Sequence, residues 1–111
     1  MRILLDECVP RPLRRDLATH DVRTVQEMGW VGLENGELLH EMTDAGFDVF
    51  LTVDQNLRYQ QNLREAGVAV VVLMAVRNKL SDLAPLMPRT VAALAKIRPG
   101  ESVEITGQAD S

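Results

Sequence analysis

The chain has 111 residues, 46% hydrophobic and 25% charged, which is the composition of one compact domain and too little chain for a second core. Sixteen acids against twelve bases leave a net charge of -4, which excludes a protein whose whole surface is a basic nucleic-acid sleeve. The deficit is mostly local: residues 1–100 hold thirteen acids and all twelve bases, and Glu101, Glu104 and Asp110 supply the rest.

In chain order, Ile3–Leu5 is aliphatic and stops abruptly at Asp6-Glu7, the pattern of a short buried strand. Pro10 and Pro12 open a helix with Leu13, Leu17 and Ala18 on one side and Arg11, Arg14 and Arg15 on the other. A weaker strand is expected over Asp21–Val25, then a loop carrying Gly29, Trp30 and Gly32. Asn35 is placed to cap a helix that runs to about Ala45, with Leu38, Leu39, Met42 and Ala45 recurring at three and four residues, and Gly46 stops it. Asp48–Val53 is apolar on both alternating faces apart from Thr52, as a strand covered above and below must be, and it ends in Asp54. Another helix starts at Asn56 or Leu57 and ends at Gly67, followed by a second doubly apolar strand over Val68–Leu73. Ser81-Asp82 is expected to cap a last helix with Leu83, Leu86, Val91, Leu94 and Ile97, and Ser102–Thr106 reads as an edge strand.

The resulting order β-α-β-α-β-α-β-α-β predicts a three-layer α/β/α, Rossmann-like domain over residues 1–106, with a mostly parallel sheet of four to five strands and a flexible tail over 107–111. The single Cys8 has no internal disulfide partner, and the N-terminus reads as a strand and an Arg-rich stretch rather than a signal peptide, so a cytoplasmic protein is expected. The longest apolar run, Val68–Val76, has nine residues, against the roughly 20 of a membrane-spanning helix.

Ligands of open parallel sheets bind outside the carboxyl ends of the strands, where the strand order reverses. Asp6 and Asp54 each follow a strand there. If those strands are neighbours, the two carboxylates share one edge, an arrangement that is costly without a cation between them. Oxygen donors with no His or Cys at metal spacing suit Mg²⁺ or Mn²⁺ rather than Zn²⁺. Glu34, Glu37 and Glu41 are candidates for a third ligand, and Glu37 is preferred because it lies in the first helical turn beside the inward-facing Leu38-Leu39; its bland alternative is service to the helix dipole. Arg11, Arg14 and Arg15 are either phosphate contacts or a solvated helix face. Cys8 is expected as a small buried filler, His20 and His40 as structural or exposed, and Trp30 as an apolar plug over the second helix or a partner contact.

The elements LLDE at the first strand end, NGELL opening the second helix and LTVDQNLRYQQNL after the third strand resemble the PIN-like nuclease superfamily, and within it a short subgroup related to VapC toxins. The resemblance covers about residues 1–75, with Asp54–Leu63 its most specific part. It implies a Mg²⁺- or Mn²⁺-dependent endoribonuclease, often paired with an antitoxin protein, with metal ligands at Asp6, Glu37 and Asp54. Asn56 stands where the subgroup often has Asp, which leaves Asn56 to orient water or phosphate, to cap the following helix, or both. Arg58 is then a phosphate contact and Tyr59 either a base platform or a packing residue. A homodimer surface is expected from the fourth strand and from Leu83, Leu86, Met87, Val91 and Leu94. Two rival readings stand beside the nuclease: an idle PIN-like binding module, and a receiver-like domain phosphorylated on Asp54. Setting aside Asp6, Glu7, Glu34, Glu37, Asp54 and the three tail acids leaves eight acids against twelve bases, so negative charge is concentrated where cations would go.

Overall fold

The computed structural model describes residues 1–55, 60–77 and 79–107, without the side chains of 35, 60 and 61. Asn56, Arg58 and Tyr59, and the tail over 108–111, lie outside the described residues. Five strands, β1 (Arg2–Leu5), β2 (Asp21–Thr24), β3 (Val49–Thr52), β4 (Ala69–Met74) and β5 (Ser102–Thr106), form one sheet in the order β2-β1-β3-β4-β5. Every pairing is parallel. The chain is thus an α/β domain with a fully parallel sheet, compatible with a Rossmann-like fold.

Side-chain alternation explains the packing. Ile3, Leu5, Val49, Leu51, Val71 and Leu73 enter one buried cluster with Leu13, Leu17, Leu83, Leu86 and Leu94, and Leu4, Phe50, Val70 and Val72 enter another with Leu38, Met42 and Leu63. Each face of the sheet is therefore covered by helices. The middle strand β3 is buried at all four positions, whereas β5 at one edge buries only Ile105 and β2 at the other only Thr24.

Several local expectations are corrected. Residues Arg11–Leu17 form a 3-10 helix, not an α-helix: Pro12 in its first turn offers no backbone donor, only Leu13 and Leu17 are buried, and Ala18 is exposed. Val25 leaves the second strand and opens a short helix, α1 (Val25–Met28), held by a reciprocal cap in which Glu27 N–H donates to Thr24 Oγ1 at 3.0 Å and Thr24 N–H to Glu27 Oε1 at 3.0 Å. Helix α2 (Asn35–Asp44) takes Glu34 rather than Asn35 as its N-cap. It ends as expected at Gly46, whose N–H donates to Thr43 O at 3.1 Å while Phe47 N–H donates to Met42 O at 3.0 Å. Within the described residues α3 covers Gln60–Glu65.

The last helix comes in three pieces: α4 (Leu80–Leu83) with Lys79 as N-cap, a 3-10 turn over Ala84–Leu86, and α5 (Met87–Leu94). Ser81-Asp82 lies inside α4 rather than capping it, and Pro85, which has no N–H to give, marks the break. Leu83, Leu86, Met87 and Leu94 are at most 1% exposed. They belong to the chain's own core and cannot supply the expected dimer surface, which leaves Val91 alone of that set exposed.

At the edge where the strands begin, Arg2 joins three segments. Its Nε lies 3.1 Å from Asp21 Oδ2, its guanidinium also donates to Ala45 O and sits 4.4 Å over the Phe47 ring, and its backbone N–H donates to Asp48 Oδ2 at 2.8 Å. Trp30 packs edge-on to Phe47 with ring centroids 5.8 Å apart, in keeping with its expected part as an apolar plug. No helix among the described residues is long and apolar enough to cross a membrane.

Candidate functional site

The strand order places the reversal between β1 and β3: from β1 the chain moves outward to β2, then returns to the other side of β1 as β3. The parallel register pairs Leu5 with Leu51, and the ladder continues one step further, with Asp6 N–H donating to Leu51 O at 2.9 Å. Asp6 thus stands beside Thr52, and the two side chains fall on the same face. Thr52 Oγ1 donates to Asp6 Oδ2 at 2.7 Å, and the other carboxylate oxygen, Oδ1, accepts from Glu7 N–H at 2.8 Å. Two residues past Thr52, the Asp54 N–H donates back to Thr52 Oγ1 at 3.1 Å.

Asp6, Glu7 and Asp54 line a cleft of about 630 Å³, with Thr52 buried beneath it, within the range of small-ligand sites. Asp6, Glu7 and Cys8 come from the end of β1, Val53, Asp54 and Gln55 from the end of β3, and Ala75 and Val76 from the end of β4. A second cleft of about 490 Å³ shares Gln55, Ala75 and Val76 and continues toward Asp82, Leu86, Thr106 and Gly107. The adjacency of Asp6 and Asp54 expected from the sequence is therefore present, on strands that pair directly.

Glu37 is not among the cleft-lining residues. It is exposed, and its Oε1 accepts from Glu34 N–H at 3.2 Å, so the carboxylate serves the start of α2. Among the described residues no group of three His, Cys, Asp or Glu side chains lies within reach of one metal ion. The arginine triplet also separates: Arg14 pairs with Glu27 at 2.7 Å, and Arg11 and Arg15 remain exposed. The hydrogen bond from Arg14, then that from the Thr24 N–H, holds the Glu27 carboxyl below the usual carboxylate range. His40 faces Asp44 at 3.3 Å, one turn along the exposed face of α2.

Cys8 is not the buried filler expected from the sequence, because it is an exposed residue on the cleft. Partial burial of the thiol, followed by the negative charge of Asp6, pushes its pKa up. A thiol so placed stays protonated at neutral pH and is a poor nucleophile. Sequence reasoning also passed over Thr52 and Gln55. The signal for Thr52 was present as the one polar side chain in an otherwise apolar strand, two residues before a strand-end acid. Comparison of the chain with protein-family models, curated proteins and solved structures gave no match.

Proposed function

We propose that this chain is a PIN-like, Mg²⁺- or Mn²⁺-dependent endoribonuclease of three-layer α/β/α architecture, working in the cytoplasm as the toxin of a toxin-antitoxin pair. The observation that carries the reading is the convergence of Asp6 and Asp54 on one open cleft at the β1/β3 reversal. The motif resemblance over residues 1–75 supports the choice of RNA and of an antitoxin partner.

The donor set suits the metal. Mg²⁺ keeps several waters and takes one or two protein carboxylates together with substrate phosphate oxygens, so an acid pair suffices without a closed cage. Asp6 and Asp54 would hold it. The Asp6 oxygens accept from Glu7 N–H and Thr52 Oγ1 and stand beside the Cys8 thiol, and a carboxylate has about four lone-pair sites, so coordination capacity remains. Glu37 would join only by exchanging its bond to Glu34 N–H, which makes it the least secure of the three expected ligands. When bound, the metal supplies a water of lowered pKa and offsets charge that grows on the phosphate during in-line attack. The chain supplies orientation: Thr52 and Glu7 N–H fix the Asp6 carboxylate, and the Gln55 amide on the cleft is placed to donate to a phosphate oxygen.

A second reading, a receiver-like phosphoacceptor, draws support from the 2-1-3-4-5 strand order, from the acidic Asp6-Glu7 after β1 and from Asp54 after β3. It lacks a Lys in or after β5 and a hydroxyl residue at the end of β4, where Met74-Ala75 stands. One experiment separates the readings. Purified protein is expected to cut single-stranded RNA with Mn²⁺, to stop with chelator, and to lose about 10²-fold or more in rate in folded Asp6→Asn and Asp54→Asn variants. Cleavage indifferent to both substitutions refutes the site. A stable acyl phosphate on Asp54 after treatment with a small phosphodonor establishes the receiver instead, and neither activity leaves the binding module.

A further inference from the structure

We infer that Thr52 is a positioning residue that sets the geometry of the acid pair through a single hydroxyl; the inference rests on the reading of Asp6 and Asp54 as that pair. Thr52 is 0% exposed, on a strand whose other three residues are apolar. Its hydroxyl has one proton. That proton is committed to Asp6 Oδ2 at 2.7 Å, so the oxygen is left to accept, which it does from the Asp54 N–H at 3.1 Å. The bonds run in one direction, Asp54 N–H to Thr52 O–H to Asp6 carboxylate. One side chain therefore fixes the rotation of the first acid and the backbone from which the second projects.

Loss of the hydroxyl leaves Asp6, among the described residues, with the Glu7 N–H on one oxygen and the neighbouring Cys8 thiol, a weak donor, and frees the carboxylate to swing about the Glu7 bond. Asp6 is half-buried and Asp54 exposed, so water is at hand to satisfy both groups in place of Thr52. The fold can thus survive a change that loosens the acids. The methyl of Thr52 does separate work, filling space among buried side chains.

The two halves of the side chain can be tested against each other. Thr52→Val keeps the branched shape and removes the hydroxyl, whereas Thr52→Ser keeps the hydroxyl and removes the methyl. A residue that merely packs predicts that Val is tolerated and Ser is the worse variant. Positioning predicts the reverse at the site. Titrating Mn²⁺ alone, by water-proton relaxation, Thr52→Val is expected to weaken affinity about tenfold or more, as for other residues that orient a metal ligand, and Thr52→Ser to stay within about threefold of wild type. In metal-free protein, three-bond couplings to the Asp6 carboxyl carbon are expected to report one χ1 rotamer in wild type and Thr52→Ser, and rotamer averaging in Thr52→Val. A single Asp6 rotamer in Thr52→Val, or equal losses of Mn²⁺ affinity in both variants, overturns the inference. Absence of Mn²⁺ binding by wild type, with the rotamer contrast intact, overturns the metal reading of the acid pair and leaves Thr52 as the group that orients Asp6.

Discussion

Helix α3 ends at a carbonyl that two segments of the chain share, and this gives a stability prediction with its own control. Past the helix, Gly67 takes φ +78°; its N–H donates to Arg64 O at 3.1 Å and Val68 N–H donates to Leu63 O at 2.9 Å. Gly100, with φ +82°, turns the chain into β5 against the same carbonyl: a methyl there would sit 3.0 Å from Arg64 O. At Gly67 a methyl meets nothing within 4 Å. Both Gly→Ala variants incur the left-handed penalty, about 1–2 kcal/mol, and both recover about 0.4–1 kcal/mol from a less disordered unfolded chain. Gly100→Ala alone must also displace a backbone oxygen that is already hydrogen-bonded, at about 1 kcal/mol for a distortion of a few degrees. Gly67→Ala is therefore expected to lose about 0.5–1 kcal/mol and Gly100→Ala about 2 kcal/mol, a gap of about 4 °C in Tm for a domain of this size. Urea unfolding at constant m-value, checked by calorimetry, measures it. Equal losses, or a larger loss at Gly67, would refute the close approach of Gly100 to α3.

Two further predictions concern charge. Under the proposed ribonuclease reading the exposed Arg11 and Arg15 contact phosphate; each such contact to a single strand contributes about -0.7 to the slope of log affinity against log salt, so replacing both with Ala is expected to reduce the slope by about 1.4, or about sevenfold between 50 and 200 mM, while Arg14→Ala, already paired with Glu27, leaves it nearly unchanged. Fluorescence anisotropy on single-stranded RNA in chelator reads this, and an Arg14→Ala effect as large as the double variant's counts against the assignment. The lowered pKa of Glu27 sets the sign of a pH effect: its stabilisation is complete above the ordinary value of 4.5 and is lost as pH falls through the lower folded-state value. Tm followed from pH 6 to pH 3 should therefore decline less steeply in Glu27→Gln than in wild type, and superimposable curves would contradict it.

Most of the sheet was legible because its central strands are buried on both sides. Uninterrupted runs such as Val49–Thr52 and Ala69–Met74 suit a strand covered on both faces and little else of that length, and a strand-end acid is conspicuous against them. The ends of helices were less legible. Thr24-Val-Gln-Glu27 carries the spacing of a capping box, yet Val22 and Val25 together suggest a longer strand. The first and last helices contain Pro at positions where hydrogen bonding could adjust in more than one way, and only tertiary packing selects the 3-10 form. At the site, Asp6 and Asp54 were readable because strand ends fix position along a chain. The part of Glu37 was not, since an acid in a first helical turn serves a cap and a metal equally well until its hydrogen bond is known. Thr52 required the register, which only pairing between distant segments sets.

The guanidinium of Arg2 and the carboxylate of Asp6 sit at opposite limits of the same strand, β1, separated by the three buried residues Ile3, Leu4 and Leu5. A parallel sheet delivers all its strand starts to one rim and all its strand ends to the other. The cleft and the anchorage thereby occupy different addresses in the sequence. Variation at Glu7, Cys8, Gln55, Ala75 and Val76 can reshape what the cleft accepts while Arg2, Ala45 and Phe47 hold the far rim, so this chain should tolerate selection for new specificity better than its small size suggests.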